Sequence, residues 1–258
     1  MVSKSSIHRH LKREGFTAFH EVPQTLKTAK NRDDRLWFVE FLREWDEEDF
    51  LHVAASDEFF IYTLRKPNFV NDRIWARSLA DVAVEERFRN CVKHPKCVGI
   101  FLLMTSKRLM WIIKQHGESW DAEYFRKQVI PDVTNFLTDP GNVISVDDVV
   151  LLHDKAPGWT ANRTQAMLED SPIDFLRKNE YPDLNVVENL GSIVKEHVEV
   201  RMLAENGKGR YSQAALIRNL QSVLAELAEN NELFEDLLLS YPKRLQAVQL
   251  AGGSHTSY

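Results

Sequence analysis

The sequence is constrained most by two acids that stand 34 positions apart at the ends of regular elements. The run from Val149 to Leu152 is fully apolar, which is typical of a short buried strand, and it leads into Asp154. Asn185 begins a helical pattern whose first turn contains Glu188. Two separated carboxylates held by rigid elements indicate a metal site.

A third acid follows an earlier apolar run. The segments Leu51–Asp57 and Phe59–Leu64 read as two strands separated by a sharp acidic junction, so Asp57 is predicted to lie at a strand end. Neighbouring strands would bring Asp57 and Asp154 together at one edge of a sheet. Because two nearby carboxylates repel each other unless a cation holds them, Mg²⁺ or Mn²⁺ is the expected partner. A third acid would allow a second ion about 3.5 to 4 Å away.

Each acid also has a purely structural explanation. An aspartate after a strand is commonly a turn or N-cap residue. With Asn185 as the N-cap, Glu188 would occupy the third helical position of a capping box and hydrogen-bond back to the cap. The same position near a helix N-terminus would keep Glu188 ionised, so capping and metal binding do not exclude each other.

The remaining pattern predicts an α/β protein with a mixed sheet flanked by helices. The runs Val98–Met104 and Leu109–Ile113 indicate a hairpin, and a short strand is predicted around Ile173–Leu176. Three or more strands followed by alternating helices and strands are typical of this class. Helices are predicted at Asn31–Trp45, at Trp120–Leu137, at Ala161–Glu169, after Asn185, after Ser212, and from Pro242 to Gly252. The acidic stretch Asp46–Asp49 is predicted to end the first of these helices.

Composition limits the classes of partner. The 258 residues, 43% of them hydrophobic, suffice for one sizeable core plus a small appendage. The net charge of −5 argues against a protein that coats nucleic acid indiscriminately, yet the residues up to Arg32 carry a net charge of +5. No apolar run approaches the roughly 20 residues of a membrane helix, so no membrane partner is expected. A zinc site needs about four ligands, and the sequence offers at most Cys91, His94 and Cys97. The two cysteines are therefore expected to be structural thiols, and so low a cysteine count fits a reducing compartment.

The basic N-terminus contains a candidate DNA-binding helix. Residues Ser3 to Gly15 predict a short helix with Ile7 and Leu11 on one face. Its polar composition is found in helices that enter a major groove, although a plain amphipathic helix is the simpler explanation. The side chains predicted to point outward are Lys4, Ser5, His8, Arg9 and Lys12.

Several blocks, taken in order, resemble mariner-superfamily transposases. The block Asp154–Pro157 resembles the second acidic block of that family, and Tyr181–Asn189, which contains Glu188, resembles the third. The segment Ser56–Phe60 resembles the first block, with Asp57 as its leading acid. Further similar segments follow the family's order: Val2–Lys12, Arg73–Ala76, Lys93–Pro95, and Ser240–Val248 with Gly252, Gly253 and Tyr258.

The resemblance implies a ribonuclease-H-like fold and a cut-and-paste DNA transposase. Such an enzyme uses two divalent ions to hydrolyse DNA at terminal inverted repeats and to join the ends to target DNA. Asp57, Asp154 and Glu188 inherit the metal-ligand roles. A nuclear location is expected, and the oligomeric state stays open, with a homodimer as one option. The implied division is a helix-turn-helix remnant over residues 1–15, a linker and helix over 16–48, and a DDE catalytic domain over 49–258.

The chain also departs from the family pattern. Lys155 stands where the family has Asn or Gly, Trp159 where it has His, and Gly191 where it has Trp. Lys155 would place a cation beside a metal ligand and compete electrostatically with the metal. The loss of structural residues around Glu188, as at Gly191, would loosen its position, and a misplacement of about 1 Å can cost about a hundredfold in rate. Met1 falls just before the family's last recognition helix. The alternative function is therefore a decayed or domesticated, non-catalytic DNA-binding or interaction protein that keeps the fold.

Overall fold

A mixed sheet of five strands forms the centre of the protein. The strands are β1 (Val53–Tyr62), β2 (Cys97–Met104), β3 (Leu109–Ile113), β4 (Val150–Leu152) and β5 (Asp174–Phe175). They lie in the order β3-β2-β1-β4-β5, with β1 antiparallel to β2 and parallel to β4. The computed structural model describes residues 10, 13–15, 27–64, 74, 76–84, 87–88, 93–114, 118–176, 184–207 and 209–256.

Helices cover both faces of the sheet. Helix α7 packs on β1 and on α8, while α1 packs on the last helix, α10. A π-helical turn, Phe125–Val129, joins α3 to α4. The helices are α1 (Ala29–Phe41), α2 (Glu47–Leu51), α3 (Ala122–Tyr124), α4 (Ile130–Leu137), α5 (Pro157–Thr160), α6 (Asn162–Glu169), α7 (Val187–Ala204), α8 (Gln213–Leu227), α9 (Asn231–Leu238) and α10 (Tyr241–Leu250), with a short 3₁₀ turn at Leu79–Asp81.

Two apolar cores lie on the two faces of the sheet, and β2 contributes to both. Its side chains alternate between the faces: Ile100 and Leu102 pack in the core with α7 and α8, while Phe101 and Leu103 pack in the core with α4. All four are completely buried, which explains why this strand is a continuous apolar run. The predicted mixed sheet flanked by helices is confirmed.

Strand β1 differs from its prediction. The two strands predicted over Leu51–Asp57 and Phe59–Leu64 are one continuous strand, so Asp57 lies near its middle and not at a strand end. Among the described strands, β4 is the neighbour on this edge, and its pairing covers only Val53–Ala55. Within the described residues, no strand pairs with this edge beyond Ala55, and Asp57 and Glu58 are half-buried there.

The other elements follow the predicted pattern with three differences. The hairpin of β2 and β3 and the short strands β4 and β5 are confirmed. The acidic stretch after α1 begins a new helix, because the Asp46 carboxylate accepts hydrogen bonds from the backbone N–H groups of Glu48 and Asp49. Helix α1 ends at Phe41, short of the predicted end, and helices α5 and α9 were not predicted.

Helix α1 belongs to the same core as the sheet. Phe38 is completely buried there, and Arg35 is 3% exposed, with its guanidinium donating to the backbone carbonyls of Gly253 and Ser254. The division into residues 1–15, 16–48 and 49–258 stays a prediction. Within the residues described by the structure, no helix is long and apolar enough to cross a membrane.

Candidate metal centre

Three carboxylates meet beside the edge of β1 that pairs with β4. Asp57 and Glu58 are neighbours in this strand, and Asp154 follows the end of β4. Each offers an oxygen atom, and these oxygens all lie within 4.8 Å of one another. All three residues are half-buried. Oxygen donors at this spacing and with this charge suit Mg²⁺ or Mn²⁺ better than softer metals.

The three acids approach one another from different directions. Asp57 lies between Ala55 and Phe59, which belong to the core with α7 and α8. Glu58 follows on the other face, where its Oε1 accepts a hydrogen bond of 3.0 Å from Trp159 Nε1. Asp154 lies at the sheet edge between them. The strand alternation therefore places one acid on each side of Asp154.

Short hydrogen bonds orient the aspartates. One oxygen of Asp154 accepts the backbone N–H of Ala156 at 2.8 Å, which closes a turn directly after β4. One oxygen of Asp57 accepts the backbone N–H of Glu58 at 2.8 Å. His153 Nδ1 donates to the backbone carbonyl of Asp154 at 2.8 Å. The carboxylates are held by local backbone geometry, so their positions are set by the strands.

The pKa values of all three acids are raised, chiefly by burial. Burial is the largest cause and raises the pKa of Asp57 to about 7 and that of Glu58 to about 8, and the charge of Asp154 adds to both. Burial also raises the pKa of Asp154, against the effect of its hydrogen bond from Ala156. The cluster is therefore short of positive charge, which a divalent cation would supply.

Glu188 faces the same cluster from the first turn of α7. Its pKa is raised because the surrounding protein partly desolvates the carboxylate, although the residue is exposed, and Arg244, Lys195 and Lys27 oppose this effect. The charge of Asp154 raises it further. Within the described residues, Glu188 is not one of the three acids whose oxygens lie within 4.8 Å of one another. It lies at the periphery of the cluster.

The start of α7 is anchored by Asn185, but not as predicted. The helix has Val186 at the N-cap position, so the predicted capping box with Glu188 is wrong. Instead, the buried Asn185 side chain accepts a backbone N–H of the first turn at 3.2 Å and donates to the carbonyl of Ser56 at 2.7 Å. Asn185 therefore fixes the first turn of α7 to β1, directly beside Asp57.

The lysine that follows Asp154 points away from the cluster. Lys155 Nζ lies 3.1 Å from Oδ2 of Asp34 in α1. The expectation that Lys155 competes with a metal at Asp154 is therefore not supported by its position. The ion pair is largely solvent-accessible, so it adds little to stability.

The other two departures from the family pattern, Trp159 and Gly191, both involve buried or closely packed aromatic rings. Trp159 is completely buried and stacks on His153, with ring centroids 4.8 Å apart. At Gly191, an added Cβ atom would come within 2.9 Å of the Phe59 ring, which occupies the space that a larger side chain would need. The Nζ atom of Lys195 lies over the same ring, 4.7 Å from its centroid.

A groove of about 610 Å³ lies between the end of β1 and helix α7, and it begins two residues beyond Glu58 along the strand. Lys195 lines this groove and also acts on the acids, since its charge lowers the pKa of Asp57. The lining residues are Phe60, Ile61, Tyr62, Ser192, Lys195, Glu196 and Glu199.

The structure thus brings Asp57 and Asp154 together and places Glu188 beside them, while their roles as metal ligands stay a prediction. Sequence reasoning missed Glu58, because it placed Asp57 and Glu58 at a junction between two strands and took only the leading acid as a ligand. The sequence offers no clear signal for its partner Trp159. The side chains predicted to contact DNA lie outside the described residues: Lys4, Ser5, His8, Arg9 and Lys12.

Comparison with solved structures identifies the fold. The Mos1 transposase paired-end complex with the left transposon end is similar over 99% of this chain and 72% of its own, with a TM-score of 0.67 and 19% identity. The catalytic domain of Mos1 mariner transposase is similar over 92% of this chain and 100% of its own, with a TM-score of 0.62 and 18% identity. The chain has the ribonuclease-H-like fold of that catalytic domain. No family model matches the sequence, and no curated protein sequence does.

Proposed function

We propose that this protein is a transposase-like enzyme that cleaves DNA strands and transfers them to new DNA with the help of divalent cations. The observation that carries the proposal is the meeting of Asp57 and Asp154, with oxygens within 4.8 Å, at the edge of a sheet that has the Mos1 catalytic fold. Solved Mos1 structures include paired-end complexes with Mn or Mg and a strand transfer complex. We extend the use of these ions and of DNA to this chain.

The acids and their supports have distinct roles in this proposal. Asp57 and Asp154 would share a first Mg²⁺ or Mn²⁺ ion, and Glu188 would bind the second. When bound, the two ions supply Lewis-acid chemistry that activates a water molecule or a DNA 3′-hydroxyl and stabilises the leaving oxygen. Asn185 holds α7 against β1 and so sets the position of Glu188 relative to Asp57.

The DNA partner is expected to approach along the groove between β1 and α7. Lys195 lines this groove and offers a cation to a backbone phosphate close to the acids. Terminal inverted repeats and target DNA would be the substrates, and the nucleus the place where the protein meets them. A homodimer would allow two DNA ends to be held together, and Lys4, Ser5, His8, Arg9 and Lys12 are candidates for specific contacts.

The unusual residues around the acids support a catalytic function over a decayed one. Lys155 is paired with Asp34, and Phe59 fills the space beside Gly191. Trp159 packs in the core and donates to Glu58. Each departure is accommodated without displacing Asp57 or Asp154 from the cluster.

A plasmid-nicking assay tests the proposal. Supercoiled plasmid that carries candidate inverted repeats is incubated with the protein and Mn²⁺, and nicked or joined products are separated on a gel. We expect products from the parent protein and none from Asp154→Asn, while Glu229→Gln, an exposed change far along the chain, retains activity. If Asp154→Asn cuts as well as the parent, or the folded parent makes no product, the catalytic proposal fails.

A further inference from the structure

We propose that Glu58 is an additional carboxylate ligand of the metal centre and that Trp159 is the residue that holds it in position. This inference rests on the proposed function, because it assigns a role at the same site. It goes beyond Asp57, Asp154 and Glu188, the three acids that the sequence pattern and the resemblance single out.

The first argument is distance. Within the described residues, the three acids with oxygens within 4.8 Å of one another are Asp57, Glu58 and Asp154, whereas Glu188 lies outside this group. An ion bound within this group could therefore contact Glu58 as well as Asp57 and Asp154. Since Asp57 and Glu58 approach from opposite faces of β1, Glu58 offers its carboxylate on the face of the sheet away from α7, the helix that carries Glu188.

The second argument is the way Trp159 restrains Glu58. The indole N–H is a donor only, so it can hold one carboxylate oxygen, here at 3.0 Å, and cannot bind a cation itself. This bond uses Oε1 and leaves Glu58 a second carboxylate oxygen. Hydrogen-bonded supports of this kind orient ligating carboxylates in metal sites.

Trp159 is itself fixed by packing. Its ring is completely buried, stacks on His153 at 4.8 Å, and meets the edge of Phe125 at 5.1 Å and the ring of Phe101 at 6.1 Å between centroids. The Phe125 ring can pack here because position 158 is a glycine, since a Cβ atom at that position would come within 2.6 Å of the ring. The donor therefore points at Glu58 from a rigid position, which a flexible side chain would not provide.

The third argument is charge balance. Asp57, Glu58, Asp154 and Glu188 carry four negative charges when ionised. The side-chain cations Lys195, Lys27 and Arg244 act on Asp57 or Glu188 and leave Glu58 among other acids. An acid held among other acids and away from water is unfavourable unless a cation or a proton neutralises it. A purely structural Glu58 would be a neutral acid bonded to Trp159, which is the competing explanation.

Titration of Mn²⁺ into the protein, followed by the electron paramagnetic resonance signal of the free ion, separates the two explanations. The variant Glu58→Gln removes the charge but leaves an amide oxygen that can accept the Trp159 N–H, so the fold should persist. We expect it to weaken Mn²⁺ binding roughly tenfold or more, with an unchanged melting temperature in the absence of metal or a higher one. Glu229→Gln, the same chemical change at an exposed position, should bind as the parent does.

A double-variant cycle tests the positioning role of Trp159. Trp159→Phe keeps a ring in the core but removes the N–H donor, and should weaken Mn²⁺ binding by about tenfold. If Trp159 acts through Glu58, the same change made together with Glu58→Gln should cost no further affinity. Equal losses in both backgrounds would show that Trp159 acts only through general packing.

The outcomes distinguish this inference from the proposed function. If Asp154→Asn abolishes Mn²⁺ binding while Glu58→Gln binds like the parent, the role of Glu58 is overturned and the proposed metal centre stands. If the folded parent binds no Mn²⁺, or Asp154→Asn binds it equally well, both proposals fail.

Discussion

The side-chain amide of Asn185 donates a hydrogen bond of 2.7 Å to the backbone carbonyl of Ser56, and this bond joins the start of α7 to β1 beside Asp57. Asn185 is 4% exposed and Ser56 is completely buried, so water cannot replace the bond. The hydroxyl of Ser56 donates in turn to the carbonyl of Leu152 at the end of β4. One buried network therefore connects the three elements that carry Asp57, Asp154 and Glu188.

Removal of the Asn185 amide should affect both stability and activity. Asn185→Ala leaves the buried Ser56 carbonyl without this donor, which should lower the free energy of unfolding by about 1 to 3 kcal/mol, measured by urea denaturation. Since Glu188 then loses its anchor, DNA cleavage should fall by about a hundredfold even where the variant is fully folded. Asn206→Ala, at an exposed position, is the control. Unchanged activity in folded Asn185→Ala would contradict the positioning role.

The acids give the metal-free protein a pH-dependent stability. The pKa of Asp57 rises from 3.8 to about 7 on folding, and that of Glu58 from 4.5 to about 8. A group with a raised pKa binds more protons in the folded state, so these acids favour folding at low pH and lose that contribution as pH rises toward about 8. We expect Mg²⁺ to raise the melting temperature more at pH 8 than at pH 5. The double variant Asp57→Asn with Glu58→Gln should lose this difference, and a Mg²⁺ effect that is largest at pH 5 would contradict the assignment.

Lys155, the residue after Asp154, should be dispensable for both stability and metal binding. Because Lys155 pairs with Asp34 at 3.1 Å and both side chains reach solvent, Lys155→Ala should change stability by less than about 1 kcal/mol. Mn²⁺ affinity should stay within about twofold of the parent, measured by calorimetric titration. A tenfold gain in affinity would show instead that Lys155 opposes the metal. Asp34→Ala, which releases the lysine, tests how much the ion pair restrains it.

The close approach of Gly191 to Phe59 should make this position intolerant of larger residues. A Cβ atom at position 191 would lie 2.9 Å from the Phe59 ring, so Gly191→Ala should destabilise the protein by about 1 kcal/mol, although alanine is the better helix former. Thermal unfolding of Gly191→Ala alone and combined with Phe59→Leu checks this, since the second change makes room. If Phe59→Leu does not reduce the cost of Gly191→Ala, the two positions are not coupled as the structure indicates.

The regular parts of the fold could be predicted from the sequence because their patterns are local. The hairpin of β2 and β3 is a pair of apolar runs around a basic turn, and Val150–Leu152 is an apolar run that ends before Asp154. The acidic pair Asp57 and Glu58 misled the prediction, because two adjacent acids are typical of a turn. They lie inside β1 because their backbone pairs with Leu102 and Phe101 of β2, while no described strand pairs with the other edge beyond Ala55.

The supports of the site could not be predicted, because they depend on contacts between distant parts of the chain. Its sequence context predicts that Asn185 caps a helix, yet its side-chain NH₂ group donates to the backbone carbonyl of Ser56, 129 residues earlier. Glu58 and Trp159 are 101 residues apart and carry no shared signal. The resemblance to the transposase family identified the acids, whereas the structure identifies what holds them.

Anomalous diffraction from crystals grown with Mn²⁺, recorded at the manganese absorption edge, tests the metal centre most directly. We expect a strong peak about 2.2 Å from carboxylate oxygens of both Asp57 and Asp154, a distance usual for oxygen ligands of such ions. Glu58 should lie within bonding distance of the same ion, and a second peak should lie toward Glu188. Crystals of Asp154→Asn should lose the first peak. A fully folded parent with no manganese at Asp57 and Asp154 would contradict the account.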